Sequence, residues 1–507
     1  MISRITFKKD QILGDLTLDF TNDEKTTYNT IVLAGENGCG KTTILNSIFS
    51  FMSGSNTRGI GEVVTNYPKP FSKLVLVNNT YTPYINLIVA NSINNLDFKV
   101  NIQGRTNLSF YPNHKIMMAE CERQQKINTR IMDYRFFGVS YTMAHTYFQD
   151  KDTTSVITDV DLNTHIKDTS SFEDNFLDMF VALDKADYDD SYEAHASSDS
   201  EEPTVIIQKR IDRIKNAFNE FSDDIKFVKV QRKDKKINSI ILKNKHTGKT
   251  VNYKNLSSGE KQILYRGTFL LLNKNNLVDG IVLIDEPEMD MHPKWQTKIL
   301  NFYRKIFSDK DGKQFAQIFI ATHSPEVIKS ALQDSENCLI INSKTGEKIV
   351  DSQRHLKQIT IPEINFLIFG IYTIEYHILL YNALYWKYIY SLPENKDLNQ
   401  DDVKSINITE FDRNFLKKVE PFKKEIDQLK PDNDGVVHWS SEILREGVGQ
   451  DKNIVKETLP TFIRNCIDHP EHNPDLEKNA QKFYLGILES DLKKSTDILI
   501  DLLKKFK

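Results

Sequence analysis

Apolar and polar positions alternate along Ile5-Thr6-Phe7 and Leu16-Thr17-Leu18-Asp19-Phe20. This is the two-residue period of strands with one buried face. Ile31-Val32-Leu33-Ala34 is apolar throughout, as a strand covered on both sides of a parallel sheet should be. Lys73-Leu74-Val75-Leu76-Val77 and Tyr84-Ile85-Asn86-Leu87-Ile88-Val89 read as further strands, so residues 1–90 are strand-rich. From about 105 to 222 the pattern turns irregular and then helical. Ile207, Ile211, Ile214, Phe218 and Phe221 recur at helical spacing and predict one amphipathic helix. Asp223 to Tyr253 predicts strands with a turn at His246-Thr247-Gly248; residues 254–350 return to strand–helix alternation, the mark of an α/β sheet. From Ile361 to Lys507 the pattern is almost entirely helical, which sets a boundary near 350–362. Sustained heptads and internal repeats are missing, so no long coiled-coil arm is expected.

Composition narrows the class. A chain of 507 residues buries a large core and holds two to four domains. With 27% charged and 39% hydrophobic residues it has an ordinary globular composition. The net charge of -4 excludes a globally basic nucleic-acid binder; any basic surface must be local. Cys39, Cys121, Cys338 and Cys466 form no CxxC pair, which argues against a paired-thiol zinc site and for a reduced, cytoplasmic setting. The N-terminus alternates like a strand and does not read as a signal peptide. No apolar run reaches the roughly 20 residues that span a bilayer. The richest, Ile364 to Tyr390, is interrupted by Glu375, His377, Asn382 and Lys387 and reads as packed helices, so no membrane partner is expected. Asp184 to Glu202 holds eight acids and one Lys and reads as a solvated loop, or as an acidic latch over a basic surface.

Four segments carry chemistry. Gly35-Glu36-Asn37-Gly38-Cys39-Gly40-Lys41-Thr42 follows the buried strand and precedes Thr43-Ile44-Leu45-Asn46, a helical stretch. This is the strand–loop–helix setting of a phosphate-binding P-loop. Its glycines let backbone N–H groups approach phosphates, and the helix N-terminus adds favourable partial charge. Lys41 should bridge the β- and γ-phosphates of ATP, and Thr42 should hold Mg²⁺. Ile281-Val282-Leu283-Ile284 delivers Asp285 and Glu286 to a strand end. Asp285 is the expected Mg²⁺ ligand, binding the ion through water, and Glu286 the expected general base. His323 follows the strand-like Gln317-Ile318-Phe319-Ile320-Ala321 and is the expected γ-phosphate sensor. Leu256-Ser257-Ser258-Gly259-Glu260 precedes a helix expected to begin near Gln262, with Ser258 and Gly259 as its cap.

LSSGE resembles the signature motif of ABC-type ATPases, which binds the γ-phosphate held by the opposite protomer. Residues 1–350 as a whole resemble an ATP-binding-cassette head of the SMC and DNA-repair class. Glu288-Met289-Asp290-Met291-His292-Pro293 resembles the DEPExxLHP run of a prokaryotic subgroup that includes OLD-type nucleases and phage-defence ATPases, with Met291 in place of the usual Leu. The fold class implied is an α/β ABC-ATPase head, a mixed sheet flanked by helices with a helical insertion, followed by an all-α C-terminal domain. The expected parts are a P-loop lobe (1–104), a helical and acidic-loop insertion (105–222), a lobe with signature, Walker B and His323 (223–360), and a helical domain (361–507). The resemblance assigns nucleotide contacts to Asn37, Gly38, Gly40, Lys41, Thr42 and Thr43, and across a homodimer to Ser257, Ser258, Gly259 and Glu260. Gln124, Gln125 and Gln149 are candidates for the glutamine loop. Lys41 and Ser258 lie roughly 220 positions apart, which resembles the short, hookless members.

Arg464-Asn465 and His469 resemble the Rx4–6H motif of HEPN domains, many of which are metal-independent ribonucleases. Arg464 would stabilise a phosphorane and His469 would serve as acid or base; packing and docking roles remain open for this segment. His377, Trp386, Tyr388 and Tyr390 read as structural. The head followed by a helical domain resembles Septu and retron-associated ATPases, in which a separate HNH-type nuclease cuts. It also resembles anticodon nucleases, in which the head gates a HEPN ribonuclease acting on tRNA. The first implies a regulatory ATPase, the second a self-contained toxin; a DNA-repair clamp is a third reading.

Overall fold

The computed structural model describes residues 2–24, 26–52, 60–65, 71–79, 84–91, 97–103, 107–110, 139–143, 165–167, 176–196, 208–233, 236–273, 277, 280–395, 403–428, 443–446, 456–468 and 489–505. The chain divides into two compact units, Met1–Val350 and Asp351–Lys507.

The first unit opens with the antiparallel pair β1 (Ile2–Asp10) and β2 (Gly14–Asp19), then the buried strand β3 (Thr30–Ala34). Next come β4 (Ile60–Thr65), β5 (Phe71–Asn79), β6 (Tyr84–Asn91), β7 (Asp97–Gln103) and β8 (Asn107–Phe110). These extend the pair into an antiparallel sheet ordered β2-β1-β4-β5-β6-β7-β8. A second sheet is built from β3, β9 (Val139–Thr142), β10 (His165–Lys167), β14 (Ile281–Asp285), β15 (Gln317–Thr322), β16 (Cys338–Asn342) and β17 (Lys348–Ile349). Its order is β10-β9-β14-β15-β3-β16-β17, parallel except for the last strand. The apolar runs Ile31–Ala34, Ile281–Ile284 and Ile318–Ala321 are its fully buried middle. Strands covered on both faces need no polar alternation, which is why these runs have none.

The core joins the sheets. Ile5, Phe7, Leu16 and Leu18 from the first pack with Ile31, Leu33, Leu283, Phe319 and Ile341 from the second. Truncating Phe319 would cost about 3–5 kcal/mol. Gln317 pins the first strand polarly: Ile2 N donates to its Oε1 at 2.6 Å and its Nε2 donates to Ile2 O at 2.8 Å.

A third sheet, β11 (Ile225–Lys233), β12 (Lys236–Asn244) and β13 (Thr250–Val251), fulfils the strand expectation for 223–253. The helix Arg210–Phe221 buries Ile214, Phe218 and Phe221 of the expected face together with Ala217; Ile211 is half-buried and Ile207 lies outside the described residues.

The expectations for 105–222 change in two ways. Strands β9 and β10 belong to the central sheet although they arise within 105–222, so that segment is more than a helical insertion. The acidic stretch is not a loop up to Ala196: it continues a helix, Phe176–Ala196. Met179, Phe180, Leu183 and Ala186 recur on one buried face, and that period outweighs the charge of the other side. Asp187 also accepts from Arg210 N at 2.9 Å at the start of the next helix. Residues 197–202 lie outside the described residues.

The second unit begins at Asp351, inside the expected 350–362 boundary but not at 361. The reason is local: His355 N and Leu356 N donate to Glu363 Oε1 at 2.6 and 3.0 Å, tying 354–356 to the helix Ile361–Phe369. Nor is this unit all-α, because β18 (Leu444–Glu446) pairs with β19 (Lys456–Thr458). Ile361–Phe369 and Ile374–Ser391 are separate helices bent by 110°, with Gly370 between them at φ 65°. By length and composition alone the bent pair together is long and apolar enough to cross a membrane; among the described residues no single helix is. Tyr376, Leu380, Tyr381 and Leu384 pack with Phe411, Leu416, Leu499 and Leu503.

Candidate functional site

Strands β14, β15 and β3 are adjacent and parallel, with Asp285 opposite Ala321, Ala321 opposite Leu33, and Thr322 opposite Ala34. Parallel strands in register end at one sheet edge, where open α/β sheets bind ligands. The chain therefore leaves β3 into the P-loop, β14 into Glu286 and β15 into His323 along a single edge.

The P-loop turns on glycine. Gly38 and Gly40 have φ of 80° and 93°, a region costly to side chains. A Cβ on Gly40 would lie 2.3 Å from Leu13 Cδ2. The helix Lys41–Met52 starts directly behind it, leaving its first N–H groups for an anion. Lys41 is 5% exposed, and its Nζ donates to Gly35 O and Glu36 O, both at 2.8 Å. The ammonium thus rests on neutral carbonyls that phosphate oxygens would outcompete. Asn37, Gly38 and Thr42 are exposed, and Thr43 is half-buried.

Asp285 is buried, and its Oδ1 has no hydrogen-bond partner among the described residues. Burial raises its carboxyl above the ordinary range; a hydrogen bond from Thr42 opposes this, Glu286 adds to it, and Arg266 and Lys41 oppose it. A buried carboxylate with a free oxygen beside the Thr42 hydroxyl fits the needs of a divalent cation. Among the described residues no cluster of three or more His, Cys, Asp or Glu could hold a metal alone. This suits a Mg²⁺ held by one or two protein groups together with phosphates.

Glu286 has φ 42°, a left-handed conformation that costs about 1–3 kcal/mol for a side chain of this kind. Its N–H donates to Ala321 O at 2.9 Å, which holds the turn. Glu286 Oε1 lies 3.2 Å from His323 Nδ1. The two side chains are 21% and 44% exposed, so water reaches both.

Behind them sits Glu288, 4% exposed. Its Oε1 accepts from Thr322 Oγ1 at 2.5 Å, His323 N at 3.1 Å and Ser324 N at 3.2 Å. Ser324 Oγ in turn donates to Gln296 Oε1 at 2.6 Å. Glu288 was visible in the sequence only as part of a motif; its contacts give it the work of fixing the His323 loop. Arg266 gave no local signal. Buried on the helix Ser258–Leu270, it donates to Asp285 O at 2.9 Å, Glu286 O at 3.3 Å and Met143 O at 3.0 Å. Tyr141, on the neighbouring strand β9, lies against Asp285; burial first, then that carboxylate, raises its phenol.

The signature segment differs from expectation in detail. The helix begins at Ser258 rather than Gln262, and its N-cap is Ser257. Glu260 completes a capping box, accepting from Ser257 N at 3.0 Å and Ser257 Oγ at 2.8 Å. Its carboxylate is therefore committed to the cap and buried, not turned toward a nucleotide as expected. Gly259 is required by packing: a Cβ would lie 2.9 Å from the Trp295 ring. Ser257 and Ser258 are exposed, and among the described residues neither hydroxyl bonds to a P-loop residue.

Arg464 lies on the helix Leu459–Asp468 in the second unit, where its Nη1 donates to Asn465 Oδ1 at 3.3 Å. Asn465 Nδ2 donates to Glu457 Oε1 at 3.0 Å. His469, Gln124, Gln125 and Gln149 lie outside the described residues.

Sheet order, P-loop, paired acids and sensor histidine define an ATPase site, and comparison with known proteins agrees. Residues 158–329 match the family model "AAA domain, putative AbiEii toxin, Type IV TA system". The matched span includes the signature, Asp285 and His323 but not the P-loop. Residues 158–329 are thus similar to an AAA-type domain, and the named relatives are retron ATPases. It is 24% identical over 378 residues to the "Retron Vc95 probable ATPase" of Vibrio cholerae serotype O1 biovar El Tor, covering 64% of this chain and 70% of that protein. It is 32% identical over 152 residues to the "Retron Ec83 probable ATPase" of Escherichia coli, covering 28% of this chain and 25% of that protein. Among solved structures, an SMC head bound to the C-winged helix domain of ScpA covers 69% of this chain and 99% of its own, at TM-score 0.35 and 10% identity. The SMC head domain from Thermotoga maritima covers 68% and 97%, at TM-score 0.31 and 10% identity. At those scores the fold rests on the strand order alone.

Proposed function

We propose that this chain is an ATP-hydrolysing regulatory subunit that dimerises on ATP and controls a separate nuclease, of HNH type, in antiviral defence. The observation that carries the reading is a half-site. Lys41, Thr42, Asp285, Glu286 and His323 share one sheet edge, while the exposed Ser257 and Ser258 bond to no P-loop residue of their own chain. The names of the retron relatives support the defence setting.

ATP would draw Lys41 off the carbonyls of Gly35 and Glu36 and onto the β- and γ-phosphates. Thr42 and Asp285 would hold Mg²⁺, which neutralises charge developing on the phosphates. Ser258 and the N–H groups of the signature helix, from a second copy, would cover the γ-phosphate. Glu286 would take a proton from the attacking water, with His323 beside it on the γ-phosphate. Product release would part the heads and free the nuclease.

Glu286→Gln removes the base and keeps the shape. With saturating ATP it should become a stable dimer by light scattering, whereas wild type returns to monomer as ATP is consumed. A variant that stays monomeric overturns the clamp. Incubated with ATP and total tRNA, the wild-type chain should leave RNA intact; cleavage abolished by His469→Ala would replace the regulatory reading with a self-contained ribonuclease.

A further inference from the structure

We infer that the solvent face of the β11–β12 ribbon is a binding surface for the phosphate backbone of duplex DNA. The chain's net charge is -4, yet residues 223–254 carry ten Lys and Arg against three Asp. Phe227 and Leu242 pair across the strands on the buried face, where Phe180 packs edge-on against Phe227 at 5.7 Å. The other face carries Lys226 and Lys243, directly opposite each other in register, with Lys229 further along; all three are exposed.

Like charges facing each other across a pair destabilise it by a few tenths of a kcal/mol. Nearby lysines have found partners: Lys245 Nζ donates to Asn219 O and Ser222 O, and Lys294 and Lys298 share Asp223. Among the described residues Lys226, Lys229 and Lys243 have no acidic partner. Protection of an exposed strand edge accounts for lysines on β11. It does not account for Lys243, because β12 is the middle strand of this sheet.

A polyanion relieves this repulsion, and the chemistry of the face selects its kind. Single strands are held by bases stacking on aromatic rings; among the described residues of β11 and β12 the exposed side chains are Lys226, Lys229, Gln231 and Lys243, beside the half-buried aliphatics Val228 and Ile241, and none is aromatic. Duplex RNA is recognised largely by shape and by 2′-hydroxyl contacts across its minor groove, whereas this face offers chiefly point charges for phosphates. Point charges along a two-stranded ribbon suit duplex phosphates.

The test is fluorescence anisotropy of a labelled DNA duplex with the full chain across a salt series, repeated with duplex RNA and single-stranded DNA of the same sequence. Wild type should bind duplex DNA, more weakly as salt rises. The triple variant Lys226→Gln, Lys229→Gln, Lys243→Gln should bind at least about tenfold more weakly at fixed low salt, with the salt slope reduced by about one per lysine. Its circular dichroism and basal ATP hydrolysis should match wild type, which separates loss of the surface from loss of the fold. An unchanged affinity and slope, or no duplex binding by wild type at low salt, overturns the surface. Equal affinity for single strands or for duplex RNA overturns the assignment to duplex DNA.

Discussion

Glu286 holds a left-handed backbone at φ 42° while its carboxylate meets His323 at 3.2 Å. Such strain persists only where surrounding bonds fix it, and here the bond from its N–H to Ala321 O does so. Replacing Glu286 by Gln should lower ATP turnover about 10²–10⁴-fold with ATP binding retained, as read by single-turnover kinetics and nucleotide titration. Glu288 allows a sharper distinction. Glu288→Gln keeps an acceptor for Thr322, His323 N–H and Ser324 N–H, whereas Glu288→Ala removes it. Turnover should fall in the alanine variant with KM for ATP little changed, and the glutamine variant should recover most of it. A parallel loss of ATP affinity would place Glu288 in binding instead. Lys41, Asp285, Glu286 and His323 were legible because their spacing to a buried strand is itself the signal. Arg266 was not, because its work is done on Met143, Asp285 and Glu286, contacts that exist only after folding.

Among the helices, capping and burial decide what sequence pattern left open. The signature helix starts a turn before Gln262 because Ser257 and Glu260 form a capping box. Ser257→Ala should cost about 1 kcal/mol, seen as a lower denaturant midpoint. The helix Phe176–Ala196 is masked in the sequence by the acidic run from Asp184, whereas its apolar period starts at Phe176. In the second unit, His377 joins two helices through its Nε2, 2.8 Å from Ser495 Oγ. Burial pushes its imidazole down to about 3 from 6.5. The fold therefore holds it neutral, while the unfolded chain takes up a proton near pH 6.5. Its contribution to stability is complete above that pH and is lost as pH falls from about 6.5 toward 3. Between pH 6.5 and pH 5 the loss is about 2 kcal/mol. Melting of the full chain should show this drop, and His377→Gln should flatten it; an equally steep drop in the variant would assign the acid sensitivity elsewhere.

For the molecule as a whole, strand order was the decisive information that the sequence carried only indirectly. The motifs named the strands, but only the sheet places β15 between β14 and β3, so that three loops meet at one edge. Strands β9 and β10 escaped notice because short segments surrounded by irregular sequence carry little period. The division at Val350 and Asp351 falls inside the 350–362 boundary that the change to a helical pattern marks, and side-chain bonds to Glu363 tie His355 and Leu356 to the second unit. One experiment addresses the shared site directly. Lys41→Ala disables the P-loop and Ser258→Arg blocks the signature; each variant alone should be inactive. Mixed, they form heterodimers in which the intact Lys41 of one chain faces the intact Ser258 of the other. ATP hydrolysis should therefore reappear on mixing equal amounts. A mixture as inactive as its parts would contradict a nucleotide site completed by a second copy of this chain.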